Sequence, residues 1–159
     1  MAHWEDEQRQ RVDELIDGYR VALHGSLNEL TEEEARRRVV LSRTTLLGLV
    51  KHASFVEGVW FDQAVTGRSY DEIGIASTVD GSFTLRRSDT IASVWPPTAN
   101  AGRRHGRTSM DDGANEMVDR RGERPVWALH LQVLRELAQH AGHADILRER
   151  ILASRSPAS

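Results

Sequence analysis

Apolar positions along this chain recur mainly at three- and four-residue spacing, the mark of helices that turn one face to a core. Val12, Leu15, Ile16, Tyr19, Leu23 and Leu27 form the first stripe, with charged residues between them, and predict a helix from Trp4 to Leu27 or Asn28. Thr31-Glu32-Glu33-Glu34 matches a capping box and predicts a short helix running through Arg38. A second long helix is expected after Ser42 or Thr44, both good N-caps, with Leu46, Leu49, Val50, Ala53, Val56 and Trp60 as its buried stripe and an end before Gly67. Residues 67–87, punctuated by Gly67, Gly74 and Gly81, read as a loop. Ser88-Asp89-Thr90 reads as the cap of a third helix carrying Ile91, Val94 and Trp95, which Pro96-Pro97 then stops. From there to Arg124 no apolar period supports an assignment. The last helix is the clearest: Pro125 opens it, Val126, Val133, Leu137, His140, Ala144, Leu147 and Ile151 form its stripe, and it stops near Ala153.

Long amphipathic helices joined by loops predict an all-α fold, a helical bundle. The 159 residues are enough for one domain, expected over 1–153, with 154–159 as a disordered tail. A net charge of −3 argues against a nucleic-acid surface. The one basic patch, Arg103-Arg104-His105-Gly106-Arg107, lacks the interleaved aromatics on which bases stack. Zero cysteines exclude disulfides, a cysteine nucleophile and thiolate metal sites. No run approaches the ~18 apolar residues of a membrane span, and the acidic first residues lack the apolar core of a signal peptide. A cytoplasmic protein is expected. Lys51 is the single lysine among 21 basic residues, a bias that fits the codons of a GC-rich, actinobacterial type of genome.

The chemistry concentrates at Glu136-Leu-Ala-Gln-His140-Ala-Gly-His143. At about 100° per residue, His140 and His143 fall roughly 40° and 20° to either side of Glu136, so all three share one narrow helix face. That face overlaps the apolar stripe, and a carboxylate and two imidazoles placed there need partners or a cation. Imidazole and carboxylate suit a divalent ion such as zinc, nickel or iron. A further ligand must come from another helix, and His52 lies on the apolar face of the second. A histidine alone on such a stripe is more often a satisfied core residue than a ligand. His130, about 120° away from the cluster, reads as a core or interface residue. There is no HExxH motif, so a zinc-protease reading lacks its signature.

Two stretches carry a more specific likeness. Leu46-Leu-Gly-Leu-Val-Lys-His52 with Glu57 and Trp60-Phe61, and Glu136-xxx-His140-Ala-Gly-His143-Ala-Asp145-Ile-Leu-Arg-Glu149, resemble the second and fourth helices of the DinB-like superfamily. The likeness covers residues 5–66 and 124–152 and is strongest to the branch of mycothiol-dependent enzymes, including maleylpyruvate isomerase. It implies a four-helix bundle that holds one divalent metal. Its ligands, carried over by position, are His52, Glu136 and His140, with His143 as a supporting residue or alternative ligand. Relatives often dimerise through helix faces, which makes a homodimer the expected assembly. Relatives also extend the third helix past the place of Pro96-Pro97, whereas residues 96–121 here lack the pattern for it.

The resemblance implies a metal-dependent transferase or isomerase that uses a low-molecular-weight thiol, mycothiol, on small electrophiles such as epoxides, halides or activated alkenes. The thiol would bring the sulfur that a cysteine-free chain lacks, and a metal would hold it as thiolate. Two alternatives share the ligand set: metal-assisted hydrolysis, and a non-enzymatic, stress-associated bundle with a vestigial metal site.

Overall fold

The computed structural model describes residues 2–94, 117–118 and 124–155, with side chains over 7–94 and 124–155. The expected all-α architecture is present. Helix α1 spans Ala2–Gly25, α2 Glu32–Arg36, α3 Leu46–Glu57, and the last helix, α7, Val126–Ala153. Between them lie α4 (Ala64–Thr66), α5 (Tyr70–Ile73) and α6 (Val79–Phe83). A two-residue antiparallel ribbon precedes α7, β1 (Met117–Val118) against β2 (Arg124–Pro125).

The core follows from the predicted stripes. Leu23 and Leu27 of the first stripe, Leu46, Leu49, Val50 and Ala53 of the second, and Val133, Leu137, Ala144 and Ile151 of the last bury together in one cluster. The capping box forms as expected: the Thr31 hydroxyl accepts from the Glu34 amide while the Glu34 carboxylate accepts from the Thr31 amide. Arg155 stays docked beyond α7, paired with Glu34 and bonded to the Glu29 carbonyl, so the chain remains attached two residues past the helix. Residues 156–159 lie outside the described residues.

Four expectations need correction. The N-cap of α3 is Thr45, not Ser42 or Thr44: its hydroxyl accepts from the Gly48 amide at 3.1 Å. The stretch 67–87 is not simply a loop. Ser69 and Thr78, short polar side chains able to cap, each start a brief helix there, α5 and α6. Ser88-Asp89-Thr90 does not cap a helix over 91–94. Asp89 instead bonds Lys51 and the Arg86 amide, and residues 90–94 close into a single turn. Trp95 and the unassigned 96–116 lie outside the described residues.

The fourth correction concerns Trp60. After α3 the helix continues as a π-helical turn, Gly58–Gln63, before α4 ends at Gly67 with φ 72°. The wider turn inserts one residue into the repeat, so the residue stacked below Val56 is Phe61, five on, rather than Trp60, four on. Phe61 is buried in the core, while Trp60 is only partly buried and packs against it, with the Arg124 guanidinium 5.7 Å from its ring centre. Just before the π turn, Glu57 is buried and accepts from Arg20 of α1 at 2.5 Å, and the same guanidinium reaches Asp17. That pair fixes the register of α1 against α3, because separating it would leave a charge buried alone.

Gly48 marks the closest approach of α3 to α6. A Cβ at this position would meet the Phe83 carbonyl oxygen at 2.7 Å and the Thr45 hydroxyl at 3.0 Å. Gly48→Ala is therefore expected to lower stability by about 1 kcal/mol, since backbone strain of roughly 1–3 kcal/mol outweighs the gain of about 1 kcal/mol in helix propensity. Denaturant unfolding of the variant beside the parent checks this, and a gain in stability would contradict it.

Candidate metal centre

The histidine and glutamate positions are set by two helix stripes meeting. His52 lies one turn past Gly48 on the buried face of α3, and His140 lies one turn past Glu136 on the inner face of α7. The two imidazoles meet edge to face, with ring centres 4.8 Å apart and planes at 88°. His140 Nε2 is 3.5 Å from Glu136 Oε2. One ligand atom from each of His52, Glu136 and His140 falls within 4.8 Å of the others. Two ligands of a tetrahedral ion with bonds of 2.0–2.1 Å stand about 3.4 Å apart, so the His140–Glu136 spacing already matches one edge.

His52 and Glu136 are each held by partners outside the group. The Ser82 hydroxyl of α6 donates its one proton to the Val79 carbonyl, so towards His52 it can only accept. His52 Nδ1–H therefore donates to Ser82 Oγ at 2.6 Å, which leaves the lone pair on Nε2. One face of the His52 ring stacks on Phe83, centre to centre 3.9 Å. Glu136 Oε1 accepts from Gln132 at 3.0 Å and from Arg135 at 2.8 Å, which orients Oε2 towards His140. Ser82, Phe83, Gln132 and Arg135 were not singled out from the sequence. Gln132 carries a readable signal, four residues before Glu136 on the same face. Ser82 carries none, because only the packing of α6 on α3 brings it to the ring.

His140 differs from its neighbours. It is buried, and neither ring nitrogen has a hydrogen-bond partner. A neutral imidazole so placed has a donor and an acceptor both unmet, at a cost of about 1–3 kcal/mol each. A cation between His140, Glu136 and His52 would meet the acceptor and offset the burial of the carboxylate, so the donor set fits a divalent ion. His143 lies on the surface, its ring 5.8 Å from that of His140, outside the group of three. His130 is buried against Phe61, with Nδ1 3.0 Å from the Val126 carbonyl and Nε2 3.9 Å from Asp13, in the core as expected.

The model of the Mycothiol-S-transferase family matches residues 11–153. The chain belongs to that family. The resemblance seen in the second and last helices thus extends over nearly the whole chain, and thiol-dependent transfer is the general activity of the class. No curated protein and no solved structure matches the chain. Among the described residues no helix is long and apolar enough to cross a membrane.

Burial, reinforced by the neighbouring His140, pushes the His52 pKa down to about 4, although Glu136 opposes the shift. Burial also lowers that of His140, with His143 adding to the effect and Glu136 again opposing it. Both rings are therefore neutral at pH 7, the form that ligates a metal. Between pH 4 and about 6.5 the unfolded chain binds more protons at these histidines than the folded one, so stability rises with pH. Metal-free protein is expected to lose stability as pH falls through that window, with a shallower slope in His52→Gln. Urea titrations in chelator at several pH values measure it, and equal slopes in the two proteins would contradict the assignment.

Proposed function

We propose that the protein is a divalent-metal-dependent transferase that moves the thiol of mycothiol onto small electrophiles, with His52, Glu136 and His140 as the metal ligands. The observation that carries this reading is the His140 imidazole, buried with both nitrogens unpartnered beside an oriented carboxylate and a histidine of preset tautomer. Membership of a thiol-transferase family supports it, since the chain has no cysteine of its own to supply sulfur. An ion bound by three protein ligands keeps a position open, and the Lewis acidity supplied there favours thiolate over thiol near neutral pH.

The residues around the site then have defined tasks. Ser82 holds the proton of His52 on Nδ1, so Nε2 stays available as a ligand. Gln132 and Arg135 hold one oxygen of Glu136 and prevent the carboxylate from turning away. Leu49 and Phe83 keep the surroundings apolar, which strengthens the attraction between ligands and ion. Zinc, nickel and iron all suit two imidazoles and one carboxylate. Thiols are kept reduced in the cytosol, and that is the compartment we assign to the reaction.

Elemental analysis of protein purified without an affinity tag tests the ligand set. Stoichiometric metal is expected in the parent and in His143→Ala, and a loss of tenfold or more in affinity in His52→Ala, Glu136→Ala and His140→Ala. Consumption of mycothiol with an electrophile should follow metal content. Equal metal in all variants would overturn the ligand assignment. Metal-dependent turnover without thiol would replace transfer by hydrolysis, and bound metal without turnover on any electrophile would favour a non-enzymatic role.

A further inference from the structure

Two clefts end on the His52–Glu136–His140 group. One, of about 390 Å³, is walled mainly by aliphatic side chains and Phe83, with the Ser42 and Thr44 hydroxyls among them, and reaches His140 and His143. The other, of about 450 Å³, has equally extensive apolar walls, Val56 and Trp60 among them, but carries more polar groups, with Ser77, Thr78 and Gln132 in the same lining as His52 and Glu136. The two linings share no residue. Phe83 belongs to the first and His52 to the second, and these rings stack 3.9 Å apart, so the partition there is two rings thick.

Ile146 is 58% exposed on α7. Single exposed aliphatics are ordinary, but this one lines a mostly apolar cleft that leads to a buried imidazole. A cleft of this volume, apolar with a few polar groups converging at one end, is the usual form of a small-molecule site. The second cleft sets the hydroxyl and amide groups of Ser77, Thr78 and Gln132 among its apolar walls, which suits a ligand rich in hydroxyls.

We propose that the two co-substrates reach the group through separate clefts: an apolar electrophile through the one edged by Ile146, and the hydroxyl-rich thiol through the one edged by Ser77. This rests on the thiol-transfer reading above. With a halide electrophile the step balances simply. The sulfur–carbon bond forms as the carbon–halogen bond breaks, halide leaves with the electron pair, and the thiol proton passes to solvent.

The test uses Ile146→Ser and Ser77→Trp, both at exposed positions away from the ligands. Binding is read by fluorescence titration of dimethylbimane, an uncharged probe that lacks a leaving group and cannot react, onto metal-free and metal-loaded protein. Kinetics are read with monochlorobimane and mycothiol. Ile146→Ser should weaken dimethylbimane binding about tenfold with or without metal, and raise the KM of monochlorobimane similarly. It should leave the KM of mycothiol unchanged. Ser77→Trp should raise the KM of mycothiol about tenfold and spare bimane binding. Unchanged probe binding in Ile146→Ser, or loss of probe binding in Ser77→Trp, overturns the proposal. If the metal-loaded parent turns over no thiol while probe binding still responds to Ile146→Ser, the transfer reading falls and the apolar-ligand cleft stands.

Discussion

Two imidazoles and a carboxylate share the interior of this bundle, and their burial is the constraint that the surrounding structure answers. Desolvation alone would drive such groups apart or to the surface. They are kept together because α3 and α7 pack along stripes whose apolar members, Leu49, Val50 and Ala53 on one side and Val133, Leu137 and Ala144 on the other, leave no other register. The site is thus positioned by the same leucine and valine contacts that stabilise the fold. A shift of one helix by a single turn would carry His140 away from His52 and bury unmatched polar atoms elsewhere.

The supports of that pair come from outside the two helices. The short helix α6 reaches His52 with the Ser82 hydroxyl at the ring edge and the Phe83 ring against its face. Its close approach depends on Gly48, where no side chain intervenes. The buried Arg20–Glu57 pair plays a comparable part for α1, fixing its position at the end of α3 just where the helix widens into a π turn. The π turn then sends Phe61 to the core and leaves Trp60 partly buried against it, where it lines a cleft. Backbone irregularity and site architecture are therefore connected: the added residue in the turn changes which aromatic is fully buried.

Family membership and geometry bear on different questions. Membership gives the class of chemistry, thiol-dependent transfer, and says nothing of which face of the group each substrate meets. The geometry supplies an unpartnered buried imidazole, an oriented carboxylate and a histidine with a preset tautomer. It also shows two mainly apolar linings, of which the one beside His52 and Glu136 carries more polar groups. Polarity matching then supplies the assignment of substrates to clefts, because an apolar body gains most where water is displaced from aliphatic walls.

The sequence by itself determined the helical class, the long stripes of α1, α3 and α7, the capping box at Thr31 and the gathering of Glu136 and His140 on one face. Each follows from the fixed 3.6-residue period or from side-chain bonds between near neighbours, which need no knowledge of the rest of the chain. His52 was legible as a buried-face residue, and its pairing with His140 was expected through a resemblance between helices. Tertiary structure alone decided that Ser82 sets the His52 tautomer, that Phe61 is buried more deeply than Trp60, that residues 88–94 turn instead of capping a helix, and that His143 stays on the surface. Those outcomes depend on contacts between segments thirty or more residues apart, or on one inserted residue in a turn. Local periodicity carries no information about either.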